Sequence, residues 1–178
     1  MGRVDQLKKN HDVEIEWLAF PLHPETPERG VSLEKLFSGR NFDIDEVMRH
    51  LKGVADGLGL PFGSRKMTYN SRMAQELGKW AEEEGRGDAF HRAAFEAYFV
   101  DGKNLASVDL LADIAVSVNL DGAVARRVYK ERTYKREVDR DWQEARARGI
   151  TAVPTFLADG RRLVGAQSYE ALAKLIMG

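Results

Sequence analysis

The sequence predicts an α/β fold in which strands near the two ends of the chain enclose a long helical block. Three observations support this prediction. VEIEWLAF near the start alternates in polarity, TFLADGRRLV near the end has a hairpin pattern, and the part between them carries repeated helix caps. With 178 residues and 43% hydrophobic content, the chain can bury a core as one domain, or as one domain with an inserted subdomain.

The first forty residues predict a helix end, a strand and a proline-containing loop. Residues 4–9 are typical of the last part of a helix. Residues 13–20 alternate and then become apolar, which indicates a strand that ends in a buried position. The following loop cannot form regular structure because it contains three prolines, Pro21, Pro24 and Pro27. It ends at Ser32, which begins a short helical turn through Phe37.

The middle of the chain predicts consecutive helices, each marked by a capping residue. Asp43, with Glu46 three residues later, resembles a capping box. The helix that follows contains Val47, Leu51 and Val54 and is predicted to end at the breakers Gly57, Gly59 and Pro61. Later helices are predicted to begin at Asn70 or Ser71, at Asp88, at Ser107 and at Asp121, the last of them reaching about Arg148.

The end of the chain predicts a β-hairpin followed by a helix. Thr155–Leu157 are β-formers, and Asp159-Gly160 is a strong signal for a two-residue turn. Pro154 stands at the mouth of the first strand, where a residue without an N–H is tolerated as the first strand residue or as a cis bond in a tight turn. Ser168 is a good N-cap for a helix over residues 169–177.

Composition and charge restrict the classes of partner and compartment. The formal net charge is −1 with acids and bases interspersed, which gives no support for a nucleic-acid partner. No apolar run approaches the roughly 18 residues of a membrane helix, and the first residues lack a signal-peptide pattern. We therefore expect a cytoplasmic protein without membrane association. Zero cysteines exclude disulfides and a cysteine nucleophile from these 178 residues.

The histidines and the arginine-rich stretch favour structural roles over ligand binding. The histidines are scattered without the spacing of metal ligands, which favours surface positions for His11, His23, His50 and His91. The arginine-rich stretch over residues 126–148 is interspersed with acids, which favours a salt-bridged helix over a nucleic-acid surface. No glycine-rich fingerprint follows a strand, so FAD and NAD have no support. We expect no metal and no cofactor, with glutathione as a possible ligand.

Several segments taken in order resemble one family. They are VEIEWLAFPLHPETPERG, GLPF, Asn70-Ser71, FEAYFVDGKNLASVDLLADIA and GITAVPTFLADGRRLVGAQSYEAL. Together they are similar to the DsbA-like thioredoxin superfamily, in the branch of FrnE-type oxidoreductases, 2-hydroxychromene-2-carboxylate isomerases and kappa-class glutathione transferases. The resemblance implies an incomplete thioredoxin-like domain, residues 1–42 and 149–178, with a helical insertion over residues 43–148.

One part of the family pattern has no counterpart. In the family a first strand and a Cys-X-X-Cys, or a serine in the transferase branch, precede the segment equivalent to VEIEW. Only twelve residues precede Val13, and they contain neither cysteine nor serine. The resemblance therefore implies that the first strand and the start of the active-site helix are missing. By resemblance that strand would lie between VEIEW and PTFLAD, so two sheet edges would stay open and we expect self-association as a homo-oligomer.

The resemblance also implies that the substrate-binding residues of the family site are present in this chain. In relatives the cis-proline loop presents its backbone to an extended substrate or to glutathione, so Val153 and Pro154 are the expected binding residues. A rigid turn required by the fold is the alternative interpretation of Pro154. Asn70, Gln167 and Ser168 match less specific family positions. No catalytic residue is expected, because thiol–disulfide exchange needs a thiolate and a resolving thiol.

Three functions stay open at this point. The first is a DsbA/FrnE-type thiol–disulfide oxidoreductase homologue whose chain, shortened at its N-terminus, is redox-inactive by itself. The second is a binding module for a peptide, thiol substrate or glutathione-like ligand. The third is a glutathione-dependent isomerase or transferase, against which the absence of an N-terminal serine argues.

Overall fold

The computed structural model describes residues 2–39 and 43–178. The chain divides into two compact units, one formed by Met1–Leu22 with Val138–Gly178 and the other by His23–Glu137. The sequence-based division into residues 1–42 with 149–178 and residues 43–148 stays a prediction, and its first boundary falls beside residues outside the described part.

Nine helices and four short strands lie within the described ranges. In chain order they are α1 (Gly2–Asn10), β1 (Val31–Ser32), α2 (Leu33–Leu36), α3 (Ile44–Gly57), β2 (Met67–Thr68), α4 (Arg72–Glu83), α5 (Gly87–Phe99), α6 (Val108–Ser117), α7 (Gly122–Glu131), α8 (Lys135–Ala147), β3 (Thr155–Ala158), β4 (Arg161–Val164) and α9 (Tyr169–Met177). The strands form two antiparallel pairs, β1 with β2 and β3 with β4.

The β3–β4 hairpin has the predicted turn and organises the first unit. Asp159 and Gly160 have positive φ angles of 47° and 78°, as a two-residue type I′ turn requires. Phe156 lies opposite Leu163. Both pack against a small apolar cluster from α1 and α9, whose buried members are Leu7, Leu172 and Ala173. One face of the hairpin is therefore covered by two helices.

Most helix starts follow the predicted caps. The Asp43 carboxylate accepts from the N–H groups of Asp45 and Glu46, and the hydroxyls of Ser32, Ser107 and Ser168 and the carboxylate of Asp121 do the same for their helices. Each satisfies backbone donors that have no partner inside the helix. At α4 the two candidates differ, because Asn70 Oδ1 accepts from Arg72 N at 2.8 Å whereas Ser71 makes no capping bond.

The core of the second unit is formed by four helices, α4 to α7. Its fully buried side chains include Leu77, Phe90, Leu111 and Ala125. Phe95 lies outside this core, and its side chain is 41% exposed. It follows Phe90 by five residues, which places it about 140° further round α5 and away from the packed face.

A buried carboxylate joins α4 to the end of α7. Glu76 is fully buried and accepts from Arg72 Nε at 2.6 Å and from Arg132 Nε and Nη2 at 2.8 and 2.6 Å. Burial alone would raise the pKa of Glu76, but the hydrogen bonds and charges of Arg132 and Arg72 more than compensate and lower that pKa below its usual value. The carboxylate is therefore ionised and paired inside the unit.

The same ion pair lies where one predicted helix is interrupted. The stretch from Asp121 to about Arg148 was expected to be continuous, but α7 ends at Glu131 and Arg132 adopts a left-handed conformation, φ 55°. That conformation is unfavourable for a residue with a Cβ, and here it accompanies the contact of the Arg132 guanidinium with Glu76. Periodicity within the segment carries no information about this tertiary contact.

The predicted strand over residues 13–20 is also wrong. The expected alternation is present, since Val13 and Ile15 are half-buried while Glu14 and Glu16 are exposed. However, a strand needs a neighbour for its backbone groups, and in the described part of the chain β3 pairs only with β4. The segment instead has a side-chain contact, in which Ala19 N donates to Asp141 Oδ2 at 2.8 Å.

Candidate functional site

The candidate site is the backbone at the start of the hairpin. The Val153–Pro154 peptide bond is cis, and the Val153 side chain is 44% exposed. The Pro154 carbonyl accepts from Gly165 N at 2.8 Å, which extends the β3–β4 pairing by one position. Thr155 Oγ1 donates to the Ala152 carbonyl at 2.6 Å and so closes the loop before the strand.

The hairpin register decides which backbone groups of β3 remain available. In a two-residue hairpin the residues that flank the turn, here Ala158 and Arg161, are a hydrogen-bonded pair, and such pairs alternate with non-hydrogen-bonded ones. Phe156 is therefore bonded to β4, whereas the N–H and C=O groups of Thr155 and Leu157 point to the outer edge. Within the described ranges no segment pairs with that edge.

Val153 lies next to this row of groups. It precedes Thr155 by two residues, across the cis bond and before the strand begins. Neither its N–H nor its C=O is hydrogen-bonded to another described residue. The Val153, Thr155 and Leu157 backbone groups are called the outer edge below. A strand edge of this kind can pair with an extended chain.

Gln167 and Ser168, two of the residues proposed from the resemblance, make internal contacts. Gln167 Nε2 donates to the Val164 carbonyl at 2.6 Å, and its backbone carbonyl accepts from Arg3 Nη1 at 2.6 Å. Ser168 Oγ caps α9 by accepting from Ala171 N at 3.2 Å. Both residues therefore hold the end of the hairpin and the start of the last helix.

Asn70 belongs to the second unit, and its amide group holds a loop. Its Nδ2 donates to the carbonyls of Pro24 and Thr26, at 3.0 and 2.8 Å, while Oδ1 caps α4. Both amide hydrogens are used in these contacts. A ligand-binding role of Asn70 stays a prediction.

The sequence analysis missed Thr155 and Leu157 as candidate binding positions. The signal was present, because the Asp159-Gly160 turn fixes the register and the register fixes which groups face outward. Leu157 also lines a cavity of about 460 Å³ at the tip of the hairpin, together with Arg148, Ala158, Asp159, Gly160 and Arg162. The side chains available to a strand on this edge are therefore both apolar and basic.

The arginines of this cavity also make internal contacts. Arg162 donates to the carbonyl of Arg148, and Arg148 is paired with Glu144 on α8. Among the residues that the structure describes, no three His, Cys, Asp or Glu side chains are grouped so that they could hold a metal ion. Likewise, none of the helices described is long and apolar enough to cross a membrane.

The hairpin begins at a cis-proline, packs on the last helix and follows a large helical block in the chain. These features define the class of thioredoxin-like proteins with an inserted helical region. The chain belongs to the DSBA-like thioredoxin domain family, whose profile matches residues 2–177. This confirms the family resemblance and the thioredoxin-like fold expected from the sequence.

Individual proteins are similar to this chain in sequence or in structure. The chain is 28% identical over 177 residues to the "Uncharacterized protein YwbO" of Bacillus subtilis (strain 168), covering 94% of this chain and 83% of that protein. A "probable DsbA oxidoreductase" from Streptomyces coelicolor has a similar structure, with a TM-score of 0.86 at 23% identity, covering 97% of this chain and 79% of that one. A 2-hydroxychromene-2-carboxylate isomerase structure gives a TM-score of 0.73 at 18% identity, covering 97% and 83% of the two chains.

Proposed function

We propose that this chain is a DsbA-family homologue that performs no thiol–disulfide exchange by itself and binds an extended peptide along the outer edge. The observation that carries the proposal is a row of open backbone groups, at Val153, Thr155 and Leu157, in a family member without cysteine. Exchange needs a thiolate as nucleophile and a second thiol to release the mixed disulfide. Binding of a peptide by strand pairing needs neither a thiolate nor a second thiol.

The binding mode follows from the edge. An extended peptide that adds beside β3 gains main-chain hydrogen bonds at alternate positions, and its side chains then lie beside those of β3. Leu157 is 37% exposed and lies on the face of β3 opposite to Phe156. A peptide with apolar residues at every second position would therefore cover Leu157, and that pattern is the expected specificity.

The redox half of the proposal is tested with the purified chain. Reduction of insulin and oxidation of a model dithiol peptide should both stay at the uncatalysed rate. Turnover of either substrate by a preparation of verified mass would contradict the proposal.

The binding half is tested by a backbone substitution that leaves the hairpin intact. Leu157→Pro removes an N–H that points away from β4, and proline is tolerated at such edge positions. We expect it to weaken binding of an alternating apolar peptide, measured by calorimetry, by about tenfold or more. Leu157→Val keeps the N–H, and Val164→Pro removes the outward N–H on the opposite edge, so both controls should bind like the original chain.

A glutathione-like ligand is the second candidate, because glutathione also offers main-chain amides to this edge. Calorimetric titration with reduced glutathione distinguishes it from a longer peptide. Binding of glutathione that is lost in Leu157→Pro would favour the tripeptide. Binding that is retained in Leu157→Pro would place glutathione elsewhere on the protein.

A further inference from the structure

Helix α3 carries an apolar stripe that remains partly exposed and that none of the other described helices and strands packs along. The stripe consists of Ile44, Val47, Leu51, Val54 and, at the C-cap, Leu58. Four of these side chains are 40–43% exposed, and Ile44 is half-buried. None of the other described helices and strands packs along α3. Its only buried residue is Ala55, whose carbonyl accepts from Leu58 N and Leu60 N in the closing turn.

The helix is nevertheless well formed by local interactions. Asp43 caps its start, and Lys52 forms an ion pair with Asp56 at 2.8 Å. The 6→1 bond from Leu60 N to Ala55 O, with Gly59 at φ 64°, closes its end. These interactions favour the helical conformation, which places the stripe residues on one face.

The spacing of the stripe indicates what covers it. The five residues recur at intervals of three, four, three and four, which is the a/d repeat of a two-helix seam. With Ile44 at position a, the flanking e and g positions are Met48, His50, Ala55 and Gly57. All acidic and basic residues between Ile44 and Leu58 lie at the outer b, c and f positions. The flanks of the seam therefore hold no acid, lysine or arginine that would repel an identical helix.

We propose that α3 docks on α3 of a second copy of the chain through this stripe. The 3.5-residue repeat fits a partner helix, and an identical helix meets no like charge at the flanks of the stripe. Two heptads form a small seam, and interfaces below about 1,200 Å² are characteristic of weak, transient complexes. The dimer therefore forms in a concentration-dependent equilibrium. This inference is independent of the proposed function, since the outer edge lies in the other unit.

Sedimentation velocity tests the proposal over about 1 to 500 µM, the range in which small interfaces associate. The original chain should shift from monomer to dimer. Leu51 lies in the middle of the stripe, so Leu51→Lys and Leu51→Glu should each weaken association by about 100-fold, because each buries an unpaired charge. Mixing the two variants should restore association, since opposite charges then meet at the seam.

Gly53→Lys is the matched control. Gly53 lies at an outer position of the same helix, and a Cβ there meets nothing within 4 Å. This variant should dimerise like the original chain. A chain that stays monomeric throughout the range would overturn the proposal. So would a Gly53→Lys variant that loses association, or a failure of the two Leu51 variants to complement each other while circular dichroism shows both folded.

Discussion

Single residues carry much of the stability of the second unit, and Glu76 is the clearest case. Its carboxylate is fully buried between two guanidinium groups. Breaking a buried ion pair is costly because the remaining charge stays unpaired. We expect Glu76→Gln to lower the free energy of unfolding by about 3 to 5 kcal/mol, measured by urea denaturation. Glu144→Gln, which breaks the exposed pair with Arg148, should cost at most about 1 kcal/mol.

The same carboxylate predicts a loss of stability in acid. The pKa of Glu76 is lower in the folded chain than its usual value, so the folded state binds this proton less readily than the unfolded state. The contribution is therefore fully present above the unfolded pKa of about 4.3 and is lost as the pH falls through the folded pKa. Urea titrations between pH 3 and 7 check this, and Glu76→Gln should flatten the acid limb of the profile. An unchanged slope in that variant would contradict the assignment.

Two glycines predict opposite effects of the same substitution. A Cβ at Gly63 would lie 1.9 Å from the Val100 carbonyl oxygen, so backbone would have to move. Gly63→Ala should destabilise the chain by about 1 to 3 kcal/mol. Gly53 lies inside α3 with open space around its Cα, so Gly53→Ala should raise the free energy of unfolding by about 0.5 to 1 kcal/mol. Thermal denaturation of both variants distinguishes these outcomes.

At the scale of secondary-structure elements, adjacent residues before α4 have different roles. Asn70 caps the helix and holds two carbonyls of the preceding loop, whereas Ser71 makes no capping bond. Asn70→Ala should lower the free energy of unfolding by about 1 to 3 kcal/mol, and Ser71→Ala should change it by less than about 0.5 kcal/mol. Chemical denaturation measures both. Equal effects would contradict the structural role of Asn70.

Local signals predicted elements well where the determinants are local. The caps at Asp43, Ser107, Asp121 and Ser168 and the Asp159-Gly160 turn are each decided within a few residues, and each lies where the sequence indicated. The errors arise where distant parts of the chain decide the outcome. The break at Arg132 depends on Glu76, 56 residues earlier, and residues 13–20 are no strand because nothing described pairs with them.

The candidate site was predicted less completely than the fold. Val153 and Pro154 were proposed as binding residues from the family resemblance, and that role stays a prediction. The role of Gln167 depends on its contact with Val164, which a family pattern does not show, whereas Ser168 caps α9 as its position in the sequence indicated. Thr155 and Leu157 were recoverable in principle from the hairpin register, because alternation assigns each backbone group to one edge.

At the scale of the whole molecule, stability should be unevenly distributed. The helices α4 to α7 share one large core, whereas α3 packs along no other described element. Hydrogen exchange depends on the free energy of local opening. Amides of α4 and α6 should therefore exchange most slowly and those of α3 fastest, measured by mass spectrometry at low protein concentration. Protection of α3 that equals that of α4 under these conditions would contradict the assignment of α3 as an uncovered helix.

The alternation of backbone groups along the outer edge also sets a minimum length for a peptide ligand. Val153, Thr155 and Leu157 are two residues apart, and the Pro154 carbonyl between the first two is already bonded to Gly165. Thr155 and Leu157 lie in β3 about 7 Å apart, whereas Val153 precedes the strand across the cis bond. A tripeptide offers two positions of the same parity and therefore reaches at most two of the three residues, so a longer segment is needed to reach all three. Affinity along a series of lengthened peptides should rise beyond the tripeptide and level off once the third residue is reached.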